Sequence, residues 1–480
     1  MIERLNEATR EFIRRHRTQR VEELALKGCR DSQVDLKEAL VQIAGWQMAR
    51  TKLPLWAETE GILFPPHLSM EQCSGLIAAR LKRWAIGQTM REEALLRKEE
   101  THPGEERAEE NLSKEAEKSE KKFSRKAERI FSEKTEEIFS EEAEKSENNF
   151  SKESEQNEET EEYALSEKLN RLTDLTGGFG VDFASLAPLF RQATYVERQE
   201  HLCQLAAHNF ALLGLQQFQI HHGDAEEYLK SMERVDWIFI DPARRGAHGQ
   251  KVVFIADCEP DVKRLEPLLL EKAGHVLIKL SPMLDITQAL RDLPHAQRCY
   301  ILSVDGECKE MLVVLGDRKA ASPDEVEMVC EVVRKGKVSC RVALTKRMEE
   351  ESRPRYAAEP LNYLYEPDAS LLKAGMFNCI TQRYPVAKLH PNSHLYTSEE
   401  LVPHFPGRTF RITGYGAWSK KGMGSLIPDT RQANITVRNF PLSAEALRKQ
   451  FKLKEGGRYT LFGTTIGNNR KILIGAEPVV

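Results

Sequence analysis

Asp174-Leu-Thr-Gly-Gly-Phe-Gly-Val-Asp182 is the stretch of this 480-residue chain that decides its predicted fold. A short apolar strand from Leu172 to Leu175 leads into a glycine-rich turn, and a helix is predicted to begin near Asp182. Strand, glycine turn and helix in this order are typical of a nucleotide site in a doubly wound sheet. Because a single glycine-rich loop is weak support, the strands that follow must agree with it.

Acidic residues stand at the ends of the first four predicted strands. Asp174 ends the first strand, Glu197 the second and Asp241 the fourth. Asp224 directly follows the third. In an open parallel sheet these ends face one crevice, where such folds bind their ligands. Taken singly, each acid could equally be a helix N-cap or a solvated loop end. Taken together, they predict a ligand site that is rich in carboxylates.

The turn departs from the dinucleotide-binding pattern, because Phe183 stands where G-x-G-x-x-G requires its third glycine. S-adenosyl-L-methionine carries a sulfonium and an ammonium group instead of a pyrophosphate, so a site with several carboxylates suits it electrostatically. We therefore expect this cofactor. Asp174 and the backbone of Gly177–Gly180 would face its methionine end. Glu197 would accept hydrogen bonds from both ribose hydroxyls, and Asp224 would accept one from the adenine amine.

The order of these motifs resembles that of the class I S-adenosylmethionine-dependent methyltransferases over residues 166–320. The whole chain also resembles a smaller bacterial family of methyltransferases in which a ferredoxin-like domain precedes a THUMP-like C-terminal domain. The motifs that carry this second resemblance are Asp241-Pro-Ala-Arg-Arg245, Ile278-Lys-Leu-Ser-Pro282, Gln432-Ala-Asn-Ile-Thr-Val-Arg-Asn-Phe440 and Gly463-Thr-Thr-Ile-Gly467. The resemblance implies an RNA methyltransferase, with rRNA or tRNA as the substrate class, and names no particular RNA.

The predicted fold class is α/β: a doubly wound, Rossmann-like methyltransferase sheet with a helical N-terminal domain and small α+β C-terminal domains. Added antiparallel strands near residues 325–346 are expected to finish the sheet. The expected catalytic residues are Asp241, Pro242 and Lys279. No metal is expected, because the nine cysteines are scattered without a C-x-x-C pair. The expected cofactor contacts are Asp174, Thr176, Gly177, Gly178, Phe179, Gly180, Asp182, Glu197, Arg198, Asp224, Ala225 and Asp241.

The motif that begins at Asp241 leaves the methyl acceptor open. Amino-methylating relatives carry an acid or Asn here, followed by two prolines and an aromatic residue that stacks on the base. In this chain Arg244 and Arg245 replace the aromatic residue and suit a phosphate, so simple adenine N6 chemistry is not indicated. Covalent pyrimidine methylation needs a nucleophilic cysteine after the fifth strand. None lies between Cys258 and Cys299.

Ribose methylation is a second hypothesis for the acceptor. Asp241, Lys279 and Glu310 resemble three members of the Lys-Asp-Lys-Glu tetrad of ribose 2′-O-methyltransferases, with Lys168 as a candidate fourth. A desolvated lysine next to a cation could have a pKa low enough to accept the proton of a 2′-hydroxyl. Alternatively, Lys279 binds a phosphate and Glu310 pairs with Lys309 at the surface. A base amine and a ribose 2′-hydroxyl both remain candidate acceptors.

Composition divides the chain into five predicted segments. A spacer is predicted because residues 105–162 hold 21 Glu, no Asp, 11 Lys plus Arg, and neither Gly nor Pro, which is too little apolar surface for a globule. The segments are a helical domain (1–98), an acidic low-complexity spacer (99–165), the Rossmann-like methyltransferase domain (166–360), a small ferredoxin-like module (361–406) and a basic THUMP-like RNA-binding domain (407–480).

Charge is concentrated in the last segment. The whole chain has a formal net charge of −4, whereas residues 407–480 hold 13 Lys plus Arg against 4 Asp plus Glu. This indicates a nucleic-acid anchor, for which Lys420, Lys421 and Arg438 are candidate phosphate contacts. Solvated surface charge is the simpler alternative. A non-catalytic RNA-binding protein and a small-molecule methyltransferase also remain open. The first residues lack an apolar signal region, so a cytoplasmic location is expected.

Overall fold

The structure, a computed structural model, describes residues 5–101, 169–244, 254–419, 426–428 and 431–479. Residues 1–82 and 168–480 group into one unit by their contacts, and residues 83–167 group separately. The acidic segment 105–162 lies outside the described residues, as do Lys168, Arg245, Lys420 and Lys421. Among the helices of the described ranges, none is long and apolar enough to cross a lipid bilayer.

The N-terminal segment consists of helices. Side-chain caps start two of them: Asn6 Oδ1 accepts a hydrogen bond from the Thr9 amide, and Asp35 Oδ1 accepts one from the Glu38 amide. The third helix is central and contacts four of the others. The helices are α1 (Glu7–His16), α2 (Val21–Lys27), α3 (Leu36–Lys52), α4 (Pro54–Glu58), α5 (His67–Gln72) and α6 (Leu76–Thr101).

A large sheet follows, and its first strands end at the predicted acids. Within the described residues it has nine strands in the order β11-β10-β8-β9-β7-β4-β1-β2-β3, while β5 and β6 pair only with each other. The strands are β1 (Leu169–Asp174), β2 (Phe190–Glu197), β3 (Gln219–His222), β4 (Val235–Ile240), β5 (Ala243–Arg244), β6 (Cys258–Glu259), β7 (Ala273–Leu280), β8 (Ala296–Val304), β9 (Glu307–Leu315), β10 (Glu327–Arg334) and β11 (Lys337–Leu344).

The strand directions confirm the predicted doubly wound, Rossmann-like sheet. β1, β2, β3, β4 and β7 run parallel, and β9 lies antiparallel between β7 and β8. The central strands are buried on both faces, as parallel sheets require, with Trp237, Ile238, Val276 and Ile278 each fully buried. The helices of this domain are α7 (Val181–Leu186), α8 (Glu200–Leu212), α9 (Ala225–Ser231), α10 (Val262–Lys272), α11 (Ile286–Asp292) and α12 (Lys346–Glu351).

The far edge of the sheet differs in one respect from the sequence prediction. We expected added antiparallel strands near residues 325–346, but β10 runs parallel to its neighbour β8, and only β11 is antiparallel to β10. The reason is the direction of β9. Because β9 is antiparallel to β8, the chain leaves β9 beside the start of β8, and the next strand begins there, with Glu327 opposite Arg298.

A second sheet joins the two C-terminal segments. Within the described residues it has seven strands in the order β13-β14-β12-β15-β18-β17-β16. Its centre pairs β12 with β15, with Leu364 opposite Phe410, so residue 407 lies inside a continuous sheet. The elements are β12 (Tyr363–Pro367), α13 (Ala369–Ala374), α14 (Ile380–Arg383), β13 (Ala387–Lys388), β14 (Tyr396–Ser398), β15 (Gly407–Ala417), β16 (Gln432–Arg438), α15 (Ala444–Phe451), β17 (Lys454–Ile466) and β18 (Arg470–Pro478).

Candidate active site

The carboxyl ends of the central strands bring three of the predicted acids to one edge of the sheet. β1 lies between β2 and β4 and is parallel to both. Asp174 and Glu197 are the last residues of β1 and β2, and Asp241 directly follows β4. The hydroxyl of Thr176 accepts a hydrogen bond from the Asp241 amide at 2.6 Å, which ties the turn after β1 to the end of β4.

The glycine turn packs against aromatic rings of the next strand and helix. A Cβ on Gly177 would lie 2.1 Å from Cε2 of Tyr195, and a Cβ on Gly180 would lie 2.8 Å from Cζ of Phe210. Gly180 also has a φ of +91°, which strains any residue with a side chain. The Tyr195 hydroxyl donates to the Gly178 carbonyl at 2.5 Å. The close approach of these rings therefore requires glycine at both positions, whether or not a ligand binds at the turn.

Asp174 is fully buried, and half of its carboxylate is unpaired. Its Oδ1 accepts a hydrogen bond from the Thr176 amide at 2.9 Å. Among the described residues, none donates a hydrogen bond to its Oδ2. Burial raises the pKa of Asp174 well above its usual value, and the neighbouring charges of Asp182, Asp241 and Glu197 raise it further. A buried acceptor of this kind suits a cationic donor from a ligand.

Glu197 is held at the turn by backbone amides. Its Oε2 accepts from the Gly178 amide at 2.9 Å and its Oε1 accepts from the Gln199 amide at 2.8 Å. Each carboxylate oxygen has further lone pairs, so these bonds fix the side chain without using up its acceptor capacity. The next residue, Arg198, is more than half exposed and pairs with Glu259 of β6 at 3.0 Å.

Three other predicted contacts have local structural roles. Asp224 is the N-cap of α9, where its Oδ1 accepts from the amides of Glu226 and Glu227, and Ala225 is the first residue of that helix. The ring of Phe179 is buried against Trp56, with the two ring centres 4.7 Å apart, so this side chain faces the N-terminal helices. Only the backbone of Phe179 is therefore placed to contact a ligand at the turn.

Five charged residues, which we call the buried charge row, lead from the interior of the protein to Asp241. The charges alternate in sign. Lys82 Nζ lies 2.8 Å from Oε1 of Glu310 and 3.1 Å from Oδ1 of Asp182. Lys279 Nζ lies 3.8 Å from Oδ2 of Asp182 and 2.5 Å from Oδ2 of Asp241. The side chain of Lys82 is 0% exposed, whereas that of Asp241 is 35% exposed, so the row opens only at Asp241.

The buried charge row favours the protonated form of Lys279. Burial by itself lowers the pKa of Lys279, but the charges of Asp241, Asp182 and Glu310 outweigh it and raise that pKa above its ordinary value. Deeper in the row, burial raises the pKa of Glu310. Burial opposes ionisation of Asp182 too, but Lys82 and Lys279 lower the pKa of that carboxyl. The raised pKa favours the charged form of Lys279, whereas the tetrad hypothesis requires a neutral lysine as base.

Lys82 and Ser74 are site residues that sequence reasoning missed. Lys168, the candidate fourth member of the tetrad, lies outside the described residues. The structure brings Lys82 of α6 to Glu310, while Lys309 pairs with Glu307. Ser74 Oγ donates to Asp182 Oδ2 at 2.9 Å. The sequence carried one usable signal, because a lysine at position 82 stands on the otherwise apolar face of α6 that includes Ala78 and Ile86.

The N-terminal helices dock beside the glycine turn through specific contacts. The amide and carbonyl of Leu63 exchange two hydrogen bonds with the side chain of Asn209 on α8, at 2.9 and 2.8 Å. Asn209 is fully buried, so this pairing satisfies both of its polar groups. Ser185 on α7 donates to the Ala79 carbonyl at 3.3 Å. Residues 5–82 therefore form part of the wall behind the site.

Arg438 is not a free phosphate contact. Its guanidinium lies 2.7 Å from Oε1 of Glu366, which is 2% exposed and is also bound by Arg408. Lys420 and Lys421 lie outside the described residues. The sequence could not show that Arg438 differs from the solvated cations. Its partner, Glu366, is 72 residues away in the chain and lies on β12 of the same sheet.

Comparisons with known proteins agree with this architecture. Residues 363–406 match a family of ferredoxin-like domains, and residues 407–478 match a family described as THUMP domain-like. The chain is similar to a "putative methyltransferase" from Porphyromonas gingivalis W83, with a TM-score of 0.73, 28% identity and coverage of 100% of this chain and 98% of that one. These matches confirm the resemblance to a methyltransferase fold with a THUMP-like C-terminal region.

More distant structures match only part of the chain. A methyltransferase dependent on S-adenosylmethionine from Agrobacterium tumefaciens is 16% identical, with a TM-score of 0.25, over 32% of this chain and 57% of that one. No curated protein sequence matches the chain.

Proposed function

We propose that this protein is an S-adenosyl-L-methionine-dependent methyltransferase that acts on RNA, either rRNA or tRNA. The observation that carries the proposal is the unpaired, fully buried Oδ2 of Asp174 beside the glycine turn. An unsatisfied buried carboxylate oxygen is costly unless a ligand pairs with it. The ammonium group of the cofactor is a donor of the required charge.

The other residues at this edge also suit S-adenosylmethionine better than a dinucleotide. Glu197 presents an acceptor that its backbone amides have fixed, which suits the two hydroxyls of a ribose. The first turn of α7 carries Asp182, a carboxylate that Lys82 and Ser74 already hold. A pyrophosphate would therefore meet a negative charge where dinucleotide folds offer free amides. When bound, S-adenosylmethionine would supply a methyl group on a positively charged sulfonium.

The charge row favours a base amine as the methyl acceptor. Lys279 is held as a cation by the surrounding acids, so it is not available to take the proton of a 2′-hydroxyl. Asp241 is the exposed end of the row, and its carboxylate can accept a hydrogen bond from an amine. As the nitrogen–methyl bond forms and the sulfur–methyl bond breaks, the amine becomes cationic and loses its proton readily. A carboxylate is then a sufficient base.

RNA would bind through a cluster of exposed cations that we call the basic edge. Arg431 directly precedes β16 and Lys454 opens β17, and their backbones are joined by a hydrogen bond of 2.7 Å from the Lys454 amide to the Arg431 carbonyl. Lys449 and Lys452 lie at the C-terminal end of α15. All four side chains are exposed, which suits contact with phosphates. The THUMP-like match over these residues supports the same assignment.

A cytoplasmic location accompanies this proposal. All nine cysteines are free, which suits a reducing compartment.

The proposal is tested by comparing modified nucleosides in rRNA and tRNA of a strain with and without the gene. We expect one methylated base to disappear on deletion and to return with the wild-type gene. Asp241→Asn should not restore it. Asp285→Asn, which keeps an exposed helix cap on α11, is the matched control and should restore it.

Two outcomes would redirect the assignment. If deletion removes a ribose 2′-O-methyl mark, the choice of a base amine is wrong while the class of enzyme stands. If every RNA mark survives although the purified protein binds S-adenosylmethionine, the substrate is a small molecule and the RNA assignment fails.

A further inference from the structure

Lys82 contacts the catalytic edge from outside the Rossmann-like sheet. It belongs to α6, which precedes the first strand, and its side chain is fully buried. The ammonium donates to both oxygens of Glu310 at 2.8 and 3.0 Å, to Ser74 Oγ at 3.0 Å and to the Ala78 carbonyl at 3.3 Å. It also lies 3.1 Å from Asp182. Lys82 is therefore the counter-ion of the two deeper acids of the charge row.

The negative charges of the same two acids also act on Lys279. Asp182 Oδ2 lies 3.8 Å from Lys279 Nζ, whereas Asp241 Oδ2 lies 2.5 Å from it. Asp182 and Glu310 are both buried, so an unneutralised charge on either would attract the nearest cation strongly. With Lys82 present, Asp182 already has an ion pair and a hydrogen bond from Ser74. Lys279 can then stay on the exposed acid.

We propose that Lys82 is a positioning residue, supplied by the N-terminal helices, which neutralises Asp182 and Glu310 and thereby keeps the ammonium of Lys279 on Asp241. The proposal rests on the proposed function, in which Asp241 meets the methyl acceptor. It gives the N-terminal segment a part in catalysis, because the geometry of Asp241 depends on a side chain that the sheet domain does not contain.

The test uses three variants of the full-length protein. Lys82→Met removes the counter-ion and leaves Glu310 buried without its partner, so it should lower the melting temperature as well as activity. The double variant Lys82→Met with Glu310→Gln removes both members of that buried pair and should recover much of the melting temperature. Lys388→Met is the matched control, because Lys388 is also a buried lysine but is bound by Asn378 and the Pro391 carbonyl, both neutral.

Methyl transfer from tritiated S-adenosylmethionine to total RNA of the deletion strain separates positioning from stability. In the double variant we expect kcat to fall by about tenfold or more with KM for RNA nearly unchanged, since a misplaced catalytic group acts on the transition state. Lys388→Met should keep kcat near the wild-type value at temperatures where it is folded. Recovery of both melting temperature and kcat in the double variant would show that Lys82 only neutralises Glu310, and the proposal would be overturned.

A crystal structure of the double variant gives a readout that does not depend on activity. We expect Lys279 Nζ to leave Asp241 and to contact Asp182, which Lys82 no longer neutralises. An unchanged contact with Asp241 would overturn the proposal even if the wild-type protein methylated no RNA. Conversely, absence of wild-type methyl transfer together with a displaced Lys279 would refute the proposed function and leave the positioning role intact.

Discussion

Asp174→Asn should make the free protein more stable and the cofactor complex weaker. Asn keeps the oxygen that accepts from the Thr176 amide and removes a buried negative charge. The pKa of Asp174 is raised in the folded state, so the wild-type protein loses stability as the pH rises above the ordinary value of an aspartate and through the folded-state value. Asn does not titrate. The stability advantage of the variant should therefore grow with pH across that window.

The same substitution should cost cofactor affinity. A hydrogen bond between charged groups contributes about 1.5 to 3 kcal/mol, so loss of the carboxylate should raise Kd by about 10- to 150-fold. Calorimetric titration with S-adenosylmethionine measures Kd, and thermal unfolding of the ligand-free protein at several pH values measures stability. Asp35→Asn, which keeps the N-cap of α3, is the control and should change neither quantity appreciably. A variant that binds as tightly as the wild-type protein would refute the assignment of Asp174.

Four further outcomes are expected. Deleting residues 105–162 should leave cofactor affinity and melting temperature nearly unchanged, because the segment has no core pattern, and a large fall in melting temperature would contradict this. Arg438→Glu should lower thermal stability even without RNA, because it would place a carboxylate against the buried Glu366, whereas reversing charges on the basic edge should leave melting unchanged. The pH dependence of kcat should be flat between about pH 7 and 9.5, because the raised pKa of Lys279 keeps it in the protonated form that the proposed mechanism uses, and a tenfold rise per pH unit would restore the lysine-base mechanism. Filter binding of RNA over a series of salt concentrations should show weaker retention and a flatter salt dependence for the basic-edge variants Lys449→Glu, Lys452→Glu and Lys454→Glu.

The central sheet could be predicted because its determinants are local. Each of the first four strands is short and ends in an acid or is followed by one within two residues, and parallel pairing then places those ends at one edge. The direction of β10 could not be read in this way. The direction of β10 depends on which end of β8 lies beside the end of β9, and the residues of β10 alone do not indicate this.

The candidate site shows the same division. Asp241, Lys279 and Glu310 were recognisable because each lies at a fixed place in the order of strands. Lys82 precedes the sheet by more than eighty residues and becomes a partner of Glu310 only when α6 packs on the domain. The raised pKa of Lys279 was not predicted, although Asp241 and Glu310, two of the three acids that raise it, had been grouped with Lys279. The third acid, Asp182, had been assigned to the cofactor alone.

Methyl transfer by the purified protein is the most direct test of the central claim. Wild-type protein and Asp241→Asn are incubated with tritiated S-adenosylmethionine and total RNA from the deletion strain, and radioactivity in the RNA is counted after nucleoside digestion. We predict incorporation into one methylated base with the wild-type protein, and a loss of orders of magnitude with Asp241→Asn while RNA retention is preserved. Absence of label in RNA with the wild-type protein, or full activity of Asp241→Asn, would contradict the account.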